Sequence, residues 1–202
     1  MPSGRTHDRI TLWALPLVAG VTFWQTRSSG VTLLVAGGFL FGGLMFGPDL
    51  DIYSRQYQRW GWLRWIWLPY QKSLRHRSLW SHGLIVGTTL RVLYLSCLLA
   101  IASLFAVVIL EKLGNMAFNW EALTKNVERS LVSYGTEFLS LFVGLELGAM
   151  SHSLSDWGGS AYKRVQKQGI HGLLVTSKVK KRKVSSRPRQ TKPKISNRKP
   201  KL

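Results

Sequence analysis

Four long apolar runs dominate the hydrophobic pattern of the first 150 residues, namely Ile10–Trp24, Val31–Gly47, Leu84–Leu110 and Leu131–Met150. A helix needs about 20 residues to cross the hydrocarbon core of a bilayer. The third and fourth runs are long enough for this, and the first two are short. We therefore predict an all-α protein with about four membrane spans.

Two alternatives exist for the short pair of runs: buried helices of a soluble all-helical domain, or one re-entrant hairpin. Four such runs leave little polar chain to cover a soluble core, which favours the membrane. Inside the later runs, we expect Arg91 to extend to the interface or to bind a phosphate. Glu146 is expected to pair with Arg91 or to support a nearby histidine, and Glu137 is assigned no role.

The loops between the runs differ in charge, and this difference predicts the orientation. The link Glu111–Ser130 carries three bases against three acids. The link Pro48–Gly83 carries six bases, namely Arg55, Arg59, Arg64, Lys72, Arg75 and Arg77. Basic residues concentrate on the cytoplasmic side of a membrane. The N-terminus, the Pro48–Gly83 loop and the C-terminus are therefore predicted to be cytoplasmic, which agrees with four crossings.

Composition divides the chain into a helical membrane domain, residues 1–160, and a basic tail, residues 161–202. The formal net charge is +19, and no acid follows Asp156, whereas fifteen Lys and Arg residues do. The stretch Lys178–Leu202 is predicted to be disordered and to bind anionic lipid headgroups. Nucleic acid is a less favoured partner, because the tail is tethered at the membrane. The single cysteine, Cys97, excludes a disulfide framework and a cysteine-based zinc site.

The stretch Tyr57–Tyr70 reads YQRWGWLRWIWLPY and contains four Trp, two Tyr and two Arg. Such amphipathic rings favour the headgroup zone of a membrane. We expect this segment to lie flat on the cytoplasmic interface. The alternatives are an aromatic cluster in a soluble core and, less favoured, a surface for base stacking.

Histidines and aspartates gather at the four run ends that are predicted to be cytoplasmic. All four aspartates of the chain and four of its five histidines are in this set, and His171 in the tail is left out. Imidazole and carboxylate together suit zinc, manganese or iron. More donors are present than one ion takes, so one or two ions are predicted. The set is His7, Asp8, Asp49, Asp51, His76, His82, His152 and Asp156.

Spacing makes these residues usable as ligands. His152 and Asp156 are four apart and share one face of a continuing helix. Asp49 and Asp51 are two apart, so an extended backbone after Pro48 would send both side chains the same way. His76 and His82 are six apart and need a turn or a loop to meet.

The segments Pro48–Asp51, His76–His82 and His152–Asp156 resemble the bacterial membrane-bound metal-dependent hydrolases of the YdjM type, with their PDLD and HRG-xx-HS motifs. The opening MPSGRTHDRIT and the blocks RWGWLRWIWLPYQ and HRSLWSHG also resemble a bacterial family described as metal-binding proteins of unknown function. The resemblance covers residues 1–160. It departs at Ser78, where the first pattern has glycine, and at Ile52, where that pattern has histidine.

That resemblance implies a set of metal ligands, and the wider group is related to zinc-dependent phospholipases C and single-strand nucleases. The implied chemistry is hydrolysis of a phosphoester, with Asp8 as the candidate proton acceptor. The rivals are a non-catalytic metal sensor or scaffold and, third, a metal transporter, for which the spans carry few polar residues. The implied ligands are His7, Asp49, Asp51, His76, His82, His152 and Asp156.

Overall fold

The structure is a computed structural model that describes residues 4–76, 78–114 and 119–169. His171 and the predicted disordered stretch Lys178–Leu202 lie outside the described residues. The division of the chain at residue 160 therefore stays a prediction.

The described residues form helices and contain no strand, which confirms the all-α prediction for this part of the chain. Two 3₁₀ helices, Pro48–Asp51 and Gly61–Trp67, interrupt the α-helical order. The α-helices are α1 Gly4–Thr26, α2 Ser29–Leu44, α3 Arg55–Gln58, α4 Leu68–Ser73, α5 Leu79–His82, α6 Val86–Gly114, α7 Trp120–Ser133 and α8 Gly135–Gln168.

Helix α2 packs against α8 through glycines, which let the two backbones touch. A Cβ atom added at Gly38 would lie 2.6 Å from the carbonyl oxygen of Leu141, and one at Gly148 would lie 2.6 Å from the backbone nitrogen of Gly43. Each helix carries two glycines four residues apart, Gly38 with Gly42 and Gly144 with Gly148. This small-residue spacing is typical of close helix pairs in membranes.

Three of the described helical segments are long and apolar enough to cross a membrane: Ser29–Asp51, Val86–Gly114 and Gly135–Lys167. Helix α1 has 23 residues but is not among them. The predicted fourth run is broken at Tyr134, so that Leu131–Ser133 belong to α7. The count of four spans stays a prediction.

The aromatic stretch Tyr57–Tyr70 does not lie flat as a whole, because its residues divide between core and surface. Tyr57, Trp67 and Tyr70 are buried in the main core cluster beside Phe46 and Leu50. Trp62 and Trp65, by contrast, are 79% and 60% exposed. The 3₁₀ turns rotate neighbouring rings to opposite sides. The core interpretation therefore holds for some residues, and the exposed rings remain free for an interface.

Candidate metal centre

The turn that carries two of the aspartates is a 3₁₀ helix and not the extended backbone that the spacing predicted. Pro48 occupies its first turn, where the fixed φ of proline favours a helical start. The Ser54 hydroxyl donates to the carbonyl oxygen of Asp49 at 2.7 Å, and the Gln71 amide donates to that of Leu50 at 3.0 Å. These bonds fix the turn against the segments that follow it.

The first group of possible ligands joins α1 to α8. One donor atom from each of His7, His152 and Asp156 lies within 4.8 Å of the others. The Nε2 atom of His7 is 3.3 Å from Asp156 Oδ1, and the two imidazoles stack with their centroids 4.0 Å apart. The expectation that His152 and Asp156 share a helix face is confirmed. Burial, followed by the neighbouring His152, lowers the pKa of His7, which keeps its ring neutral and able to bind metal.

The hydroxyl of Ser155 holds the ring of His7. It donates to the carbonyl oxygen of His152 at 2.8 Å, and its oxygen is in hydrogen-bond contact with Nδ1 of His7. The other ring nitrogen, Nε2, is thereby directed toward Asp156.

The second group joins the Asp turn to the segment before α6. Donor atoms of Asp49, His76 and His82 lie within 4.8 Å of one another. Asp51 stands behind this group: its side chain is fully buried, and its Oδ1 lies 2.9 Å from Nδ1 of His76. A carboxylate accepts only, so His76 donates from Nδ1 and keeps Nε2 available. Such carboxylate–histidine pairs orient metal-ligating rings.

Ser81 and Arg91 support His82. The Ser81 hydroxyl lies 2.9 Å from Nδ1 of His82, with the carbonyl oxygens of Arg75 and Ser78 each at 3.4 Å as acceptors for its proton. Arg91 donates to the carbonyl oxygen of Ser81 at 2.9 Å. The expectation that Arg91 extends to the interface is wrong, because its side chain is needed to hold α5 and is 1% exposed.

Glu146 accepts a hydrogen bond from the backbone N–H of Ile85 at 2.9 Å. Ile85 has a φ of 63°, a conformation that β-branched residues rarely adopt. The carboxylate thus fixes a strained backbone just before α6. The predicted direct pair of Glu146 with Arg91 is replaced by this contact, which fastens the histidine segment to α8.

Several buried donor atoms of the two groups have no hydrogen-bond partner among the described residues. Nε2 of His152 lies 3.1 Å from Asp49 Oδ2, yet the two atoms lack the alignment of a hydrogen bond. Buried polar atoms without partners are costly, and a divalent cation would satisfy them. The nitrogen and oxygen donors fit such an ion. The unpartnered atoms are His82 Nε2, His152 Nδ1, His152 Nε2 and Asp156 Oδ1, together with Oδ2 of Asp51 behind the second group.

Asp8, the candidate proton acceptor, belongs to neither group. Its carboxylate accepts hydrogen bonds from Arg59 at 2.7 and 2.9 Å and from Arg55 at 3.0 Å. Asp8 also lines a cavity of about 20 Å³ that reaches His7, Asp49 and His152. This volume admits a water molecule. Asp8 therefore faces the space beside the metal ligands, and its catalytic role stays a prediction.

The sequence profile of a family described as uncharacterized metal-binding protein (DUF2227) matches residues 2–166. The chain belongs to this family. The match includes every residue of both ligand groups, so the DUF2227 description agrees with the clusters found in the structure.

An uncharacterized protein from Aquifex aeolicus (strain VF5) is 37% identical over 59 residues, which is 29% of this chain. The chain spans about 41% of the length of that relative. No solved structure matches this DUF2227 chain. The comparisons support the metal-binding family and give no support to the YdjM relationship.

Sequence reasoning missed the residues that orient the ligands, Ser81 and Ser155. Each serine directly precedes a ligand, as Ser81-His82 and Ser155-Asp156, but serine is too common in helices for this to be a signal. It also missed the paired glycines of α2 and α8, for which the repeated spacing of four was a readable signal.

Proposed function

We propose that this protein is embedded in a membrane, binds divalent metal ions at one end of its helical bundle, and uses them to hydrolyse phosphoesters. The observation that carries the metal part is the set of buried, unpartnered donor atoms of His82, His152 and Asp156, which converge from separate segments. Zinc, manganese and iron all fit nitrogen and carboxylate donors.

The apolar surface of α6 supports the membrane part. Leu99, Phe105, Leu110 and Leu113 are 60%, 65%, 64% and 81% exposed. An apolar helix surface of this extent is stable in lipid and unfavourable in water. The ligands lie at the start of α1, after α2, before α6 and late in α8, which are neighbouring ends in an up-and-down bundle. The basic loop Pro48–Gly83 favours the cytoplasmic side for this end.

The cavity beside the ligands supports the hydrolytic part. It leaves room for water against Asp49 and His152, as an exchangeable position requires. A divalent ion bound here would supply Lewis-acid polarisation of a phosphoryl oxygen. Ser155 and Asp51 hold the histidine rings in place, and Asp8 would accept a proton at its carboxylate. Phosphoesters are chosen as substrate from the resemblance to YdjM-type hydrolases.

A second candidate is a non-catalytic metal sensor or scaffold of the membrane. The small cavity volume favours it, because about 20 Å³ admits water but no phosphoester without movement. The two candidates share the metal site and differ only in turnover.

The test is the metal content of purified protein, followed by turnover. We expect about one or two ions per chain, and a lower content in His82→Ala and in Asp49→Ala. Glu128→Gln, an exposed carboxylate on α7, serves as control. Unchanged content in both ligand variants would refute the site. Metal-dependent hydrolysis of a chromogenic phosphodiester or of phospholipid vesicles that is lost in Asp49→Ala would support the enzyme. If wild type with bound metal hydrolyses neither substrate, the sensor is supported.

Topology is tested separately with a reporter fused after Leu202. We expect a cytoplasmic signal because of the basic loop and tail. The tail proposal is tested with a peptide of residues Lys178–Leu202. It should bind anionic vesicles but not neutral ones, and molar salt should release it. Equal binding to neutral vesicles would refute the electrostatic attraction, and a preference for nucleic acid would favour that partner.

A further inference from the structure

The two ligand groups meet at one side chain. Asp49 belongs to the second group with His76 and His82. Its Oδ1 lies 3.6 Å from Nε2 of His82, whereas its Oδ2 lies 3.1 Å from Nε2 of His152, which belongs to the first group. The two oxygens of one carboxylate are thus shared between the two groups.

We propose that the protein holds a pair of divalent ions bridged by the carboxylate of Asp49. This inference rests on the proposed metal-binding function and adds the number of ions and the residue that joins them. The first ion is held by His7, His152 and Asp156, the second by His76 and His82, and Asp49 gives one oxygen to each.

Donor spacing allows an ion at each of the two groups. A zinc ion binds nitrogen and oxygen at about 2.0–2.2 Å, so the donors of one ion lie within about 4.4 Å of each other. Each group of three has donors within 4.8 Å, close to that limit. Carboxylates often join two such ions, about 3.5–4 Å apart, in hydrolytic centres.

The ring nitrogens on either side of the Asp49 carboxylate also support a metal-bridging role for this residue. Nε2 of His82 and Nε2 of His152 are both buried and without hydrogen-bond partners, although each faces an oxygen of Asp49. Ser81 bonds Nδ1 of His82, so Nε2 is the ring nitrogen left for a metal.

Charge compensation also favours bound cations. Asp49, Asp51 and Asp156 place three carboxylates in one cluster, and the side chain of Asp51 is fully buried. The ring partners of these carboxylates are histidines, which bind metal as neutral imidazoles. Buried carboxylates require nearby positive charge, and divalent ions at the two groups would provide it together with Arg91, which interacts with Asp51.

The experiment uses the full-length protein, stripped with chelator and reloaded with Mn²⁺ alone. Wild type should bind about two ions per chain, and its electron paramagnetic resonance spectrum should show exchange coupling between them. This spectrum requires no variant. Two bound ions without coupling would overturn the bridge while leaving metal binding intact. No metal in the wild type as purified, together with no binding when Mn²⁺, Zn²⁺ and Fe²⁺ are each added separately to the stripped protein, would overturn the proposed function together with the bridge.

Variants of the two groups and of the bridge separate the roles. His76→Ala and Asp156→Ala should each bind one ion and give an uncoupled spectrum, because each removes a ligand of one ion only. Asp49→Asn should weaken both ions at least about tenfold and abolish coupling. A loss confined to one ion in Asp49→Asn would overturn the bridge. Glu128→Gln is the control, and thermal unfolding verifies that each variant is folded.

Discussion

Asp51 offers the sharpest test of how the protein prepares its metal site. The side chain is fully buried and its Oδ1 lies 2.9 Å from Nδ1 of His76. In the variant Asp51→Asn the shape is kept, but the acceptor that fixes the ring becomes an amide that can present either oxygen or nitrogen. The ring of His76 then loses its fixed orientation and tautomer.

The size of the effect follows from the role of such partners. Loss of a carboxylate behind a metal-ligating histidine lowers metal affinity about 10–100-fold. This corresponds to about 1.4–2.8 kcal/mol in binding free energy. We expect Asp51→Asn to weaken the ion at His76 and His82 by this amount, and the ion at His7 and His152 less, because Asp51 contacts neither of those rings in the structure.

The assay is competition with a chelator of known affinity at neutral pH, in detergent. Glu128→Gln is the control, because Glu128 is an exposed carboxylate on α7 that belongs to neither ligand group. This control should keep the wild-type affinity. The Tm of each metal-free variant shows whether the fold is retained.

A double-mutant cycle decides whether Asp51 acts through His76. In the His76→Ala background the further change Asp51→Asn should alter affinity by less than about twofold, because its partner is already gone. An equal loss in both backgrounds would mean that Asp51 binds the ion itself. Wild-type affinity in Asp51→Asn would refute the orienting role altogether.

Three further predictions test the helix packing, the ion pair of Asp8 and the link between metal and stability. Gly38→Ala should destabilise the protein by about 1–3 kcal/mol, because the new Cβ would meet the Leu141 carbonyl oxygen. The control Gly37→Ala, where the structure leaves open space, should be neutral or stabilising by up to about 1 kcal/mol. Equal Tm values of the two variants in thermal unfolding would contradict the close packing of α2 and α8. Asp8→Asn should keep full metal content, because the carboxylate of Asp8 is paired with Arg55 and Arg59. The variant should change the free energy of unfolding by no more than about 1 kcal/mol. A loss of bound metal in elemental analysis would place Asp8 among the ligands. Removal of metal with EDTA should lower the Tm, and metal added at 100 times its Kd should raise the free energy of unfolding by about 2.7 kcal/mol. A Tm that is unchanged by both treatments would contradict a buried metal centre.

The sequence alone determined the all-α class and the residue types of the site. Long apolar runs without the alternation that is typical of strands indicate helices. The placement of His7, Asp49, His82 and His152 at neighbouring run ends already brought them to one end of the bundle. The end of the bundle at which a residue lies depends only on the length and order of the helices, and both can be predicted from the sequence.

Only the tertiary structure decided which donors lie close enough to share an ion and which side chains contact their rings. The position of Asp49 between the two ligand groups depends on a 3₁₀ turn, whereas spacing predicted an extended backbone. The buried Arg91 could not be told from an interfacial one by sequence, because both occur near a helix start. The pairing of Asp51 with His76 joins residues 25 apart, and no local pattern encodes a contact that packing alone creates.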